Sequence, residues 1–197
     1  MPIDLQTELT YLRRSILSMG ALVEQRVHMA IDGLLHNDLE AAMTVKKGDD
    51  EVDAMEVRIE EACLRILALS HPVAKDLRFV LAVMRINNDL ERIGDLARSV
   101  AKRAIHLSDS RPLELPAGME KMANATRQML ADSLASLTEG DVELARRIRA
   151  ADKRVDDLLK EIFAWVQTEI PRHVEATKAS IDILSVARRF ERISDLA

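Results

Sequence analysis

The sequence contains the same seven-residue motif twice, one hundred positions apart. ERIGDLA occupies residues 91–97 and ERISDLA occupies residues 191–197, so six of the seven residues are identical. Composition alone does not supply a repeat of this length. The chain is therefore an internal duplication, and its fold must be one that two copies of a smaller unit can build.

Helical periodicity, rarely interrupted by proline, predicts the structure of each unit. Beyond the N-terminus prolines occur only at positions 72, 112, 116 and 171. We predict a first helix from about Leu5 to Leu34, a second over residues 39–70 capped by Asp38, and a third that begins at Pro72 and ends near Leu107. The apolar row of the first helix consists of Leu5, Leu9, Leu12, Ile16, Met19, Val23, Val27, Ala30 and Leu34.

The second half of the chain repeats this plan. Met19, Asp38, Asp49, Val52 and Asp53 recur at a constant offset of 103 as Met122, Asp141, Asp152, Val155 and Asp156. The offset falls to 100 after the next turn, where a loop tolerates a deletion. We predict an all-α fold of two tandem three-helix bundles, the first over residues 1–110 and the second over residues 111–197.

Composition excludes several classes of function. The net charge is −5 and no tract rich in Lys or Arg occurs, which argues against direct nucleic-acid binding. No apolar run is long enough to cross a bilayer and no signal peptide is recognisable, so we expect a soluble, cytoplasmic protein that meets membranes only through its partners. Cys63 lies in a helical pattern without an activating base, which indicates a buried apolar role.

Acidic residues form the most distinctive pattern. They occur as four pairs spaced i, i+4, so that both members of each pair share one face of a helix. Antiparallel packing of the second and third helices brings the two pairs of each repeat to the same height. The pairs are Asp49 and Asp53, Glu91 and Asp95, Asp152 and Asp156, and Glu191 and Asp195.

These carboxylates predict a metal site, against one plain alternative. Facing like charges destabilise a helix pair unless something positive offsets them, and carboxylate oxygens suit Mg²⁺, Mn²⁺, Ca²⁺ or iron, with Zn²⁺ less favoured. The alternative is that neighbouring arginines such as Arg92, Arg98 and Arg192 neutralise the pairs. The symmetric placement of four pairs weakens this alternative, and both interpretations stay open.

The helical register places the acidic residues beside the core. On the third helix Ile86, Leu90, Ile93 and Ala97 form the apolar row, and the carboxylates lie about 100° away. Glu56 and Asn88 are additional candidate ligands in the first repeat. Their counterparts in the second repeat are Leu159 and Arg188, so we expect the first site to be stronger.

In the first repeat two stretches carry a family resemblance, DDEVDAMEVRIEEACLRILAL and HPVAKDLRFVLAVMRINNDLERIGDLA. Through them the chain resembles the PhoU family of phosphate-signalling proteins. DKRVDDL and RRFERISDLA extend the resemblance through the second repeat. It implies two tandem three-helix bundles, a homodimer and multinuclear metal binding through carboxylate-x-x-x-Asp motifs. It also implies a negative regulator of the phosphate-starvation response, an adaptor between the phosphate ABC transporter ATPase and a sensor histidine kinase.

The C-terminal helix departs from the repeat. The third helix of the first repeat continues about a dozen residues past Asp95, whereas only two residues follow Asp195. We therefore expect C-terminal residues to be absent from this sequence.

Two other classes of protein also place carboxylates on facing helices. A ferritin-like di-metal oxidase requires Glu-x-x-His pairs, which do not occur here. A purely structural bundle requires only that arginines pair with the acids. We expect a protein that is not an enzyme.

Overall fold

Within residues 4–109 and 114–197, which the computed structural model describes, the chain forms seven α-helices and no β-strand. The first repeat contains α1 (Leu5–Leu35), α2 (Leu39–Lys47), α3 (Asp49–Ser70) and α4 (Ala74–Asp109). The second contains α5 (Ala117–Glu139), α6 (Val142–Arg172), a 3₁₀ turn (Val174–Ala176) and α7 (Thr177–Leu196). The prediction of an all-α fold with two three-helix units is confirmed, α2 and α3 together serving as one long element.

Aspartate side chains begin equivalent helices in the two repeats. Asp38 accepts a hydrogen bond from the backbone N–H of Ala41 at 3.0 Å, and Asp141 accepts one from Leu144 at 2.9 Å. Each bond satisfies a backbone donor that has no partner within its own helix. The predicted cap at Asp38 is therefore confirmed, and its repeat at Asp141 shows that the duplication extends to local geometry.

The prediction of one continuous helix over residues 39–70 is wrong at Gly48. This glycine separates α2 from α3, and a Cβ at its position would lie 2.5 Å from Nη1 of Arg26. Arg26 spans the break, because its guanidinium donates to the carbonyl of Thr44 and forms an ion pair with Glu51 at 3.0 Å. At the offset of 103 the second repeat has Ala151 in place of Gly48, and α6 runs through without a break.

One proline lies differently from the prediction, and another lies inside a helix. Pro72 is not the first residue of the third helix, because α4 begins at Ala74 after a turn in which His71 has a left-handed φ of 45°. Pro171 lies inside the last turn of α6. Proline is tolerated there because it removes only one hydrogen bond from a helix that ends at the next residue.

The two repeats share one hydrophobic core. Buried residues from Leu9 on α1 to Ile193 on α7 form a single cluster that draws on both units. The repeats meet through α1 against α5 and α4 against α7. Arg189 contacts Ser99 and Arg103 contacts Asp182, so residue numbers rise along α4 as they fall along α7, and these helices are antiparallel.

The predicted boundary between the repeats, at residues 110 and 111, lies outside the described residues. The predicted turn at Pro112 also lies outside them. The boundary stays a prediction.

Candidate metal sites on two acidic faces

The first acidic face, as we call Asp53, Glu56, Glu91 and Asp95, lies where α3 packs against α4. Asp53 and Asp95 are exposed, while Glu56 and Glu91 are half-buried. Val52, Leu90 and Ile93 are buried behind them. The side chains therefore lie beside the core, as the helical register predicts.

The charges that act on Glu91 come from both helices. The pKa of Glu91 is raised above its ordinary value, first by burial and then by the charges of Asp95, Glu56 and Asp53. Arg92 acts in the opposite direction but ranks last among these causes. Glu91 is thus repelled by all three other carboxylates of the first acidic face.

The second acidic face consists of Asp152, Asp156, Glu191 and Asp195, on α6 and α7. Burial raises the pKa of Glu191, followed by Asp195 and Asp156, while Arg192 lowers it. The pKa of Asp152 is also raised, by burial first and then by the same two aspartates. The duplicated sequence therefore builds the same electrostatic arrangement twice.

Pairing of these acids with arginines stays an alternative prediction. Oδ1 of Asp152 is buried and has no hydrogen-bond partner in the described structure. A buried carboxylate oxygen without a donor is costly, and a cation at this position would relieve that cost.

The donor chemistry fits a hard cation, although the described side chains do not converge on a single position. Both faces offer only carboxylate oxygens, the ligands of Mg²⁺, Ca²⁺, Mn²⁺ and iron. In residues 4–109 and 114–197 no three His, Cys, Asp or Glu side chains converge closely enough to hold an ion. The side chain of Asp49, the remaining predicted ligand, lies outside the part of the chain that the structure describes.

Neighbouring asparagines on α4 have different environments. Asn88, the predicted additional ligand, is exposed, whereas Asn87 is buried and donates to the backbone carbonyl of Glu56 at 3.0 Å. Asn87 therefore fixes α3 against α4 at the level of the first acidic face. Sequence analysis named Asn88 and missed Asn87, although Asn87 precedes Glu91 by four residues and so shares its helix face.

Fold and site together define a class: an all-α protein of two duplicated three-helix units, each presenting a paired acidic face. The model of the PhoU domain matches the chain twice, over residues 16–104 and 119–197. The chain belongs to the PhoU family.

Relatives of the chain cover nearly all of its length. The phosphate-specific transport system accessory protein PhoU of Serratia marcescens is 37% identical over 95% of this chain and 77% of its own length. The homologue from Aquifex aeolicus is 34% identical over 94% of this chain and 84% of its own length. These relatives are named as accessory proteins, not as enzymes.

Solved structures agree with the fold in detail. The crystal structure of PhoU from Pseudomonas aeruginosa matches with a TM-score of 0.92 at 34% identity, covering 98% of this chain and 93% of that one. The phosphate transport system regulatory protein PhoU from Streptococcus pneumoniae matches with a TM-score of 0.86 at 28% identity, covering 98% of this chain and 91% of that one.

Across residues 4–109 and 114–197, no helix reaches the combination of length and hydropathy that spanning a membrane requires.

Proposed function

We propose that this protein is a regulatory accessory of a phosphate transport system. In this role it keeps the phosphate-starvation response off when phosphate is plentiful, as a cytoplasmic homodimer that links the ATPase of a phosphate ABC transporter to a sensor histidine kinase. The observation that carries the proposal is the match of both repeats to the PhoU family, whose relatives above are named for this transport system. Its physical role is to bind partners, and it reaches the membrane only through them.

We further propose that both acidic faces bind divalent or trivalent metal ions, with iron, Mn, Mg and Zn as the candidates. Asp53, Glu91 and Asp95 would hold ions in the first repeat, together with Asp49 and with Glu56 as an additional ligand. Asp152, Asp156, Glu191 and Asp195 would do so in the second. The support is the raised pKa of Glu91, Asp152 and Glu191, together with the buried Oδ1 of Asp152, which has no hydrogen-bond partner in the described structure.

Bound ions would supply positive charge and join each pair of facing helices. Without them, the carboxylates on α3 and α6 repel those on α4 and α7. With them, the same side chains would become ligands that fix the helix pairs, and hence the surface offered to partners. This links metal content to regulation through the rigidity of the bundle.

One variant tests both parts of the proposal. It carries Glu91→Gln, Asp95→Asn, Glu191→Gln and Asp195→Asn. We expect metal analysis to find at least one ion per acidic face in the untagged wild type and none in the variant. In bacteria that lack their own family member, we expect the wild type to silence a phosphate-starvation reporter at high phosphate and the variant to fail.

The matched control removes the same number of charges from exposed carboxylates elsewhere, with Glu40→Gln, Glu61→Gln, Glu120→Gln and Glu139→Gln. It should retain both the metal and the silencing. A wild type that stays free of metal after reloading would return the acidic faces to ordinary helix surface. A wild type that does not silence the reporter would reject the regulatory role, whatever its metal content.

A further inference from the structure

A positively charged cleft lies between α4 and α7, in contrast to the two acidic faces. We name it the basic cleft, an open space of about 520 Å³. Five cationic side chains line it and only one carboxylate does. The lining residues are Asp95, Leu96, Arg98, Ser99, Lys102, Arg188, Arg189 and Arg192.

This concentration of positive charge is unexpected in a chain of net charge −5. It arises where the two repeats differ in sequence. Arg188 and Arg189 of α7 correspond to Asn88 and Asp89 of α4 at the offset of 100. The antiparallel packing of α4 on α7 then places both arginines opposite Ser99 and Lys102.

One of these arginines is held in a fixed position. Nε of Arg189 donates to the hydroxyl of Ser99 at 2.5 Å, and its Nη1 donates to the carbonyl of Ser185 at 2.6 Å and to the hydroxyl of the same residue. Nη2 makes none of these bonds. Because the guanidinium is planar and already oriented, little entropy is lost when its remaining donors bind an anion.

The charges around Arg189 do not neutralise the cleft. Burial and the neighbouring Arg103 lower the pKa of Arg189, while Asp182 opposes them. Asp182, however, is already paired with Arg103 at 3.3 Å. Asp95 is the remaining acid on the lining, so Lys102, Arg188 and Arg192 add positive charge that the described lining does not balance.

We propose that the basic cleft binds a phosphoryl-type dianion, either inorganic phosphate or the phosphoryl group of a small molecule. Guanidinium groups match the oxygen geometry of phosphate and form short, charge-assisted hydrogen bonds with it. The exposed Arg188 and Arg192 lie at the rim, whereas Lys102 and Arg189 are half-buried. The anion would therefore be drawn in by the rim and held by the deeper groups.

This site shares Asp95 with the first acidic face, but its binding of anions needs no metal ion or partner and can be measured on the isolated chain. Isothermal titration calorimetry of the untagged protein in phosphate-free buffer would use two probes, inorganic phosphate and AMP. The test variant carries Arg188→Asn, which restores the residue of the first repeat, and Lys102→Gln. The control variant carries Arg85→Asn and Lys75→Gln, which remove the same charge from exposed positions elsewhere on α4.

We expect saturable binding of phosphate or AMP to the wild type, and binding about tenfold weaker to the cleft variant, the effect of losing a charge-assisted hydrogen bond. The control variant should bind as the wild type does. Tighter binding of AMP would identify a phosphoryl group on a larger molecule as the ligand, and binding of phosphate alone would identify the free ion. Absence of saturable binding to the wild type, or equal binding by the two variants, would overturn the proposal.

Discussion

The reactivity of Cys63 reports how tightly the first repeat is packed. The thiol is fully buried, and burial together with Glu60 raises its pKa to about 11. Only about one thiol in a thousand would be ionised at pH 8, and the thiolate is the reactive species. We expect Cys63 to remain unmodified by a disulfide reagent in the native protein and to react fully in denaturant.

A cysteine on the same helix provides the control. Ala54 is exposed on α3, so a variant carrying Ala54→Cys and Cys63→Ala should react rapidly in native buffer. The rates are compared by absorbance at equal protein concentration. If native Cys63 reacted as fast as the cysteine at position 54, the packing of α3 described here would be incorrect.

At the scale of single residues, the sequence predicts which side chains carry charge but not which have partners. The i, i+4 spacing was enough to place Asp53, Glu91 and Asp95 on one face. Spacing carries no information on whether an arginine points toward a carboxylate or away from it. It therefore left both the metal interpretation and the arginine interpretation open.

At the scale of helices, two glycines of α5 should respond in opposite ways to a methyl group. Gly140 ends the helix with a left-handed φ of 71°, and nothing lies within 4 Å of a Cβ placed there. Gly140→Ala should lower the free energy of unfolding by about 1 kcal/mol through backbone strain alone. Gly118→Ala should be neutral or raise it by up to about 1 kcal/mol, because Gly118 lies in the first turn, where a Cβ would meet Ile162 at an ordinary 3.6 Å.

Urea denaturation of the two variants beside the wild type measures this difference. Equal stability of the wild type and Gly140→Ala would contradict the left-handed geometry of the cap. A larger loss at position 118 than at position 140 would contradict the helix start of α5.

The end of a helix could be predicted from the sequence where it depends on neighbouring residues, but not where it depends on a residue of another helix. The Asp38 cap depends on residues within one turn, so sequence located the start of α2. The break at Gly48 depends on Arg26, a residue from another helix that occupies the space beside the glycine. In the second repeat Met129 stands at the position of Arg26, and Ala151 at that of Gly48. No window along one helix contains that pair.

For the molecule as a whole, the duplication determines the architecture, while divergence between the copies makes their charges asymmetric. Two equivalent acidic faces follow from the repeated motif itself. The basic cleft exists because Arg188 and Arg189 replaced Asn88 and Asp89, and because α4 and α7 pack in opposite directions. Sequence comparison of the repeats revealed the first change, but only the packing showed where its charge lies.

The same interface should decide how firmly the repeats hold together. Asp182 is buried on α7 and its ion pair with Arg103 on α4 joins the two units, with a further bond from Arg103 to Ser185 at 3.1 Å. Arg103→Gln leaves that carboxylate without its nearest cation, which is costly in a buried position. Arg189 remains close and Arg103 is partly exposed, so we expect a loss of about 1–2 kcal/mol in the free energy of unfolding.

A double-mutant cycle separates the ion pair from other effects of the substitution. Adding Asp182→Asn to Arg103→Gln should cost less than the sum of the two single changes, because the double variant no longer buries an unpaired charge. Arg85→Gln, an exposed change on α4, serves as the control in the same denaturation experiment. If Arg103→Gln were no more destabilising than this control, the ion pair would contribute nothing to the docking of the two repeats.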